Sequence, residues 1–309
     1  MKHLRQMTRI PLITGPTAVG KTGVAIALAK RLDAEIISAD SRQIYRDLSV
    51  GTAKPDVLEM DGVPHHFIDE LGLPDIVSAG WFERQANRRI QEIRDRGRNV
   101  VVVGGSTLYV HALVAGLPDI PDVDRSIVER LNHEVQLGKS AELFRELVSV
   151  DPGFAETLDS TKSQRLVRGL SVFRGTGRPI SSFFASVAPA FQYEVVVLGM
   201  TREALYERIN SRARAMIDAG LLEEAAGLLE SGFDRSLSPL KTIGYTEAFD
   251  FLEGRIVSRE TLEHLLMRNT RRYAKRQMTW LRRYGEAAIL EYTASSSSLV
   301  DAIMRRMNS

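Results

Sequence analysis

The sequence predicts an α/β protein, a doubly wound parallel sheet with a helical insertion domain. Three observations carry that expectation. Short apolar runs at 10–13, 35–38, 100–103 and 193–199 are separated by longer helix-like stretches, the order in which parallel strands and their crossovers occur. The run Val100, Val101, Val102, Val103 is apolar without alternation, which fits a strand covered on both faces. Between residues 118 and 189 the pattern is helical with no comparable run, and Pro118, Pro121 and Pro189 bound it. The core is therefore expected in two pieces, 1–117 and 190–309, around an insertion at 118–189.

The first strand runs into Gly15-Pro16-Thr17-Ala18-Val19-Gly20-Lys21-Thr22, and a helix-like stretch follows from Val24. This is G-x-x-x-x-G-K-[ST] between a strand and a helix, the phosphate-loop (P-loop) signature in the context it requires. Gly15 and Gly20 let the backbone turn so that successive N–H groups point into one anion-sized hollow at a helix N-terminus. Lys21 adds a point charge at the outer phosphates, and the Thr22 hydroxyl is placed to hold Mg2+. Thr17, in the variable part of the loop, reaches the same phosphates. The sheet is thus expected to be P-loop NTPase-like and the ligand a di- or triphosphate. Nucleotide-binding and ATP-binding proteins, kinases among them, share this loop.

The second strand ends just before Asp40, which puts that carboxylate on the sheet edge where open α/β folds place ligands. By position alone Asp40 is either the cap of a following short helix or a chemical group. A turn rich in small residues follows at Gly51-Thr52-Ala53-Lys54-Pro55. His65 and His66 are neighbours in an extended segment, so they face opposite ways and suit hydrogen bonding better than a shared metal. A charged amphipathic helix at 81–96, stopped by Gly97, leads to the strand Asn99–Val103. That strand ends in Gly104-Gly105-Ser106-Thr107, without the Asp that hydrolysing P-loop enzymes use to hold their metal. Glycines at such a place let a ligand or another backbone come close.

Helices are expected in the insertion at 124–136, 140–150 and 163–174, and beyond it at 202–219, 221–231 and 258–284, each of the last three stopped by glycine. The last carries Arg268, Arg271, Arg272, Lys275, Arg276, Arg282 and Arg283 on one broad stripe, with Tyr273, Trp280 and Tyr284 among them and no acid from Met267 to Tyr284. Basic helix faces are often only solvated, but interleaved aromatics point to a phosphate backbone as partner. Residues after Thr293 read as a peripheral tail helix.

Composition narrows the classes. With 44% hydrophobic and 26% charged residues the chain can bury a core, and its net charge of +2 requires local clusters for any nucleic-acid partner. The absence of cysteine excludes disulfides and cysteine-based metal sites. With no run long enough to cross a membrane and no secretory signal, the protein is expected to be cytoplasmic, without a membrane partner, and a monomer.

Several stretches, taken in order, carry a resemblance. They are the phosphate loop, Asp40-Ser41-Arg42-Gln43, Gly51-Thr52-Ala53-Lys54-Pro55, Val63-Pro64-His65-His66, Gly104-Gly105-Ser106-Thr107-Leu108-Tyr109, Gln164-Arg165-Leu166-Val167-Arg168, Ile243-Gly244-Tyr245 and Ala274-Lys275-Arg276-Gln277-Met278-Thr279-Trp280. In these the chain resembles the tRNA dimethylallyltransferases, or tRNA isopentenyltransferases, across nearly its whole length. It departs from the family's Gly-Gly-Thr-Gly-Leu-Tyr turn at Ser106 and Thr107, and it lacks the zinc-finger extension of some eukaryotic members.

The resemblance implies transfer of a dimethylallyl group from dimethylallyl diphosphate to N6 of adenosine 37, beside the anticodon of tRNAs that read codons beginning with U. It implies Asp40, Thr17, Lys21 and Arg212 as catalytic residues, with Mg2+ as cofactor. It implies a grip on the anticodon stem-loop by Asp40, Ser41, Arg42, Gln43, Ser106, Gln164, Arg165, Leu166, Val167, Arg168, Lys241, Thr242, Ile243, Gly244, Tyr245, Thr246, Lys275, Arg276, Gln277, Trp280 and Arg282, with the insertion closing over the RNA. Asp40 accepts the N6 proton in this scheme, late, once N6 has begun to bond to carbon. Alternatives are an adenylate isopentenyltransferase acting on free AMP or ATP, a P-loop small-molecule kinase, and a non-catalytic RNA-binding P-loop protein.

Overall fold

The computed structural model describes residues 7–75, 77–158, 163–185, 187–292 and 296–307. Six strands form one sheet: β1 (Arg9–Thr14), β2 (Ala34–Ser38), β3 (His65–His66), β4 (Asn99–Val103), β5 (Gln192–Gly199) and β6 (Ile289–Glu291). Their order is β3-β2-β4-β1-β5-β6 and every pair is parallel. The first crossover from β1 passes over β4 to reach β2, whereas the connection out of β4 reaches β5 on the other side of β1. The reversal falls between β4 and β1, so the loops leaving β1, β2 and β4 open beside one another at the carboxyl edge.

Period-two geometry divides the core. Leu12, Ile37, Val100 and Val102 face one apolar cluster, while Ile13, Ile36, Val101, Val103, Val196 and Leu198 face another. Both faces of the central strands are buried, as the unbroken valine run implies. The helices of the first half are α1 (Lys21–Leu32), α2 (Val57–Met60), α3 (Ala79–Asp95) and α4 (Thr107–Ala115). Val24 and Leu28 of α1 join the second cluster, and Phe82, Ile90 and Ile93 of α3 join the first. Ser78 caps α3 by accepting from Trp81 N–H.

Residues Ala115–Ala188 form a compact unit of their own. It holds α5 (Arg125–Gln136), α6 (Ser140–Val150), α7 (Pro152–Glu156) and α8 (Ser163–Thr176), whose apolar faces meet in a core that includes Leu131, Leu147, Phe154 and Leu170. Arg174 of α8 pairs with both Glu134 and Glu146, tying α8 to α5 and α6. Buried Asp151 caps α7 through Phe154 N–H and also accepts from Ser181 N–H.

The remaining helices are α9 (Arg202–Asp218), α10 (Leu221–Glu230), α11 (Tyr245–Leu252), α12 (Arg259–Leu281) and α13 (Ser296–Met307). Several features differ from the sequence reading, which placed no helix at α2, α4 or α7. Helix α11 and edge strand β6 had not been expected: α11 starts immediately after Gly244, inside a stretch read as an RNA grip, and β6 is three residues long. Helix α13 is not peripheral, because Leu299, Val300 and Ile303 are buried against the cluster that holds α1. The basic helix is α-helical to Leu281 and tightens into a 3-10 turn at Arg282–Tyr284 before Gly285. Among the described residues no helix is long and apolar enough to cross a membrane.

Candidate active site

The phosphate loop leaves β1 and enters α1 directly. At Gly15 any Cβ would lie 2.5 Å from the Leu198 carbonyl oxygen, and Gly20 adopts a left-handed φ of 96°, so both positions demand glycine. Lys21 Nζ donates to the carbonyls of Gly15 (3.1 Å) and Pro16 (2.7 Å). Burial, aided by the nearby Arg212 guanidinium and opposed by Asp40, pushes the Lys21 ammonium down to about 7. The loop is also bolted from outside. Thr17 N–H donates to Gln277 Oε1 (2.9 Å), and Gln277 Nε2 donates to the Gly105 carbonyl (2.8 Å), so one amide on α12 joins the turns after β1 and β4.

Of the glycines after β4, Gly104 serves close approach to backbone, and Gly105 leaves room for the Gln277 and Lys21 side chains. A Cβ on Gly104 would fall 2.1 Å from the Ala39 carbonyl oxygen. Ser106 completes the junction: its N–H donates to Ala39 O, and its Oγ accepts from Ser41 N–H at 2.9 Å. Thr107 opens α4 and needs no positive φ, so the departure from the family turn at this position carries no strain.

Asp40 sits where β2 ends. Its Oδ1 accepts from the N–H groups of Arg42 (2.9 Å) and Gln43 (3.3 Å), so the carboxylate closes a tight turn and does not cap a helix. Oδ2 takes no hydrogen bond among the described residues. Asp40 thus closes a turn through Oδ1 where the sequence allowed a helix cap, and it lines both hollows of the cavity described next.

Two joined hollows open at this edge. The inner one, about 140 Å³, is lined by Lys21, Thr22, Asp40, Arg212 and the turn at Gly104 and Gly105. The outer one, about 350 Å³, adds Ser41, Arg42, Ser106, Lys241, Thr242 and Arg276 on its polar side, and Ile209, Met216, Ile243 and Leu266 on its apolar side. Thr17, Asp40, Thr52, Arg212 and Tyr273 line both. Burial depresses the Arg212 guanidinium while Asp40 supports its charge.

Other predicted site residues are placed differently from one another. Gln277 is buried with both amide ends used inside the chain, so it braces the loop and offers nothing to an RNA. Tyr245 is fully buried, Gly244 is buried as the cap of α11, and Leu166 and Val167 lie in the insertion core. Apolar or bracing positions inside a helical motif face the core, which a contiguous sequence match does not separate from the exposed ones. Gln164, Arg165 and Arg168 are exposed on α8, as are Thr246, Lys275, Arg276 and Arg282 in the core unit. Gln43 donates its amide to the carbonyls of Thr52 and Ala53. Trp280 packs edge-on to His111 and Tyr284 and lies under the Arg283 guanidinium, 3.7 Å from its ring centre.

Sequence reasoning gave three contributors no place in the cavity or beside the loop. Tyr273 and Thr52 line both hollows, and Arg208 donates to the Val19 carbonyl while stacking on Tyr292. Arg208 lies one helical turn before Arg212, a spacing that signals a shared face. His66 stays structural as expected, bonded to Glu35 through one ring nitrogen and to Arg89 through the other.

The elements define a phosphate-loop α/β protein with a two-part cavity at the carboxyl edge of its sheet. Comparison with known proteins gives the family. The family model described as IPP transferase matches residues 43–284, and the chain belongs to that family. It is 49% identical over 276 residues to the tRNA dimethylallyltransferase of Salinibacter ruber, covering 89% of this chain and 85% of that one. It is 41% identical over 300 residues to tRNA dimethylallyltransferase 2 of Geotalea uraniireducens, covering 96% of each. Among solved structures, the tRNA isopentenylpyrophosphate transferase of Bacillus halodurans is 36% identical with a TM-score of 0.67, over 97% of this chain and 95% of the other. A eukaryotic dimethylallyltransferase acting on tRNA superposes with a TM-score of 0.79 at 25% identity, over 97% of this chain and 77% of its own.

Proposed function

We propose that this chain is a tRNA dimethylallyltransferase that prenylates N6 of adenosine 37, with dimethylallyl diphosphate as donor. The observation that carries the reading is the continuity of the two hollows through Asp40 and Arg212, which puts a phosphate cradle and a carboxylate on one space.

The inner hollow suits the diphosphate, with loop N–H groups, Lys21 and Arg212 meeting its charge and Thr17 at the mouth. The Thr22 hydroxyl and the diphosphate's own oxygens are hard donors that fit Mg2+, which neutralises charge on the leaving group when bound. The apolar wall of Ile209, Met216 and Ile243 suits a five-carbon chain. In the transfer, a bond forms between N6 and C1 of the prenyl group, the C1–O bond breaks, and its electron pair leaves with diphosphate. The N6 proton passes to Asp40 Oδ2. A base inside a stacked loop has to be extruded to reach this space, and Arg42, Lys241 and Arg276 at the outer rim suit the flanking phosphates. Exposed Gln164, Arg165 and Arg168 extend the RNA-binding set into the insertion.

The test is mass spectrometry of unmodified tRNA bearing three adenines at positions 36 to 38, incubated with protein, Mg2+ and dimethylallyl diphosphate, with AMP as a parallel acceptor. The expected result is one prenyl group on the tRNA, none on AMP, and no requirement for ATP. Prenylation of AMP alone would turn the assignment to an adenylate isopentenyltransferase.

A further inference from the structure

Behind the cavity lies a carboxylate that the reaction scheme does not use. Glu224 of α10 accepts hydrogen bonds from three successive backbone N–H groups, those of Ser49 (3.0 Å), Val50 (2.8 Å) and Gly51 (3.1 Å). The Tyr245 hydroxyl of α11 donates to the same carboxylate. Consecutive amides of this kind form a nest for an anion, and here the chain fills it with its own side chain. The Tyr245 ring lies directly over Gly51, where a Cβ would come within 2.6 Å of it. The short segment 49–53 is therefore clamped from two helices.

What the clamp holds is part of the site. The Thr52 carbonyl accepts from Arg212 (3.3 Å) and, with the Ala53 carbonyl, from the Gln43 amide. Thr52 itself lines both hollows. Arg212 has no carboxylate partner within salt-bridge distance among the described residues, and the Thr52 carbonyl is its one hydrogen-bonded anchor there. A guanidinium on a long side chain is directed by the acceptors it meets, and this acceptor is immobile only while segment 49–53 is held.

We propose that Glu224 is a positioning residue that, with Tyr245, fixes segment 49–53 and through the Thr52 carbonyl aims Arg212 at the diphosphate. The proposal deepens the functional reading above and rests on it for the identity of the anion. Gln in place of Glu224 keeps size but turns two N–H donors of its own toward a nest of donors, so the clamp opens.

The experiment measures Glu224→Gln, Tyr245→Phe and Arg212→Ala, singly and Glu224→Gln with Arg212→Ala, for binding of inorganic pyrophosphate with Mg2+ and for prenyl transfer, well below each variant's Tm. For Glu224→Gln we expect kcat to fall about 100-fold, the cost of a misplaced group, pyrophosphate to bind about tenfold more weakly, and KM for tRNA to stay within about twofold. Tyr245→Phe, which keeps the ring over Gly51, should show the same pattern more weakly. Arg212→Ala should cost far less in the Glu224→Gln background than alone, because both act through one interaction. A lower Tm with kcat and pyrophosphate affinity unchanged would overturn the proposal, as would effects of the two substitutions that simply multiply. If the wild type binds pyrophosphate but prenylates nothing, the functional reading fails, and the double-mutant cycle on pyrophosphate affinity still decides the role of Glu224.

Discussion

Asp40 carries two duties on separate oxygens, and this makes its substitution unusually clean. Asn keeps an Oδ1 acceptor for the N–H groups of Arg42 and Gln43, so Asp40→Asn preserves the turn while removing the base. Single-turnover transfer should fall by about 100-fold or more, with tRNA affinity in a filter-binding assay changed by a few-fold at most; intact turnover would remove Asp40 as the proton acceptor. Lys21 offers a second test at this scale. Its ammonium is pushed down to about 7 in the free protein, and an incoming diphosphate favours the charged form and raises it again. Below pH 7 the charge is already present, and above it a proton has to be taken up on binding. Pyrophosphate affinity measured by calorimetry should therefore fall by about tenfold per pH unit above 7, and Lys21→Met should flatten that dependence.

Helix α12 joins three tasks by face. Its exposed side offers Lys275 and Arg276, and each change to Ala should weaken tRNA binding and reduce the slope of log affinity against log salt by roughly one unit. An unchanged slope would leave that face merely solvated. Its buried side holds Gln277, and Gln277→Ala leaves Thr17 N–H and the Gly105 carbonyl without partners. The cost should be about 1–3 kcal/mol in denaturant unfolding, together with weaker pyrophosphate binding. The stripe of charge was legible from spacing alone, as were the phosphate loop and the central strands. The inward duty of Gln277 was not, since it depends on two turns that reach α12 only through the tertiary fold. Tyr245 shows the same limit: a motif records which residues recur together and not which of them face inward. Helix α13 was read as peripheral because its segment carries a serine run and a short basic end, yet its apolar residues land on α1, and Ile303→Ala should cost about 2–4 kcal/mol.

At the scale of the molecule, sheet order decides where chemistry can occur. The parallel class and the insertion were readable from the alternation of apolar runs and helical stretches. The strand order was not, because no local pattern tells β4 to lie between β2 and β1. That order is what brings Asp40, the glycine turn and the phosphate loop to one edge. The bolt from Gln277 to Thr17 spans 260 residues of chain, and β5, which completes the floor behind Gly15, follows only after the insertion. A ribosome making this protein therefore exposes the phosphate loop long before the support that α12 brings to it. Until α12 has emerged and docked, Thr17 and the Gly105 turn are unjoined, so a partly synthesised chain carries the motif without a finished site. The capacity to hold a reactive diphosphate ester arrives only after α12 has left the ribosome.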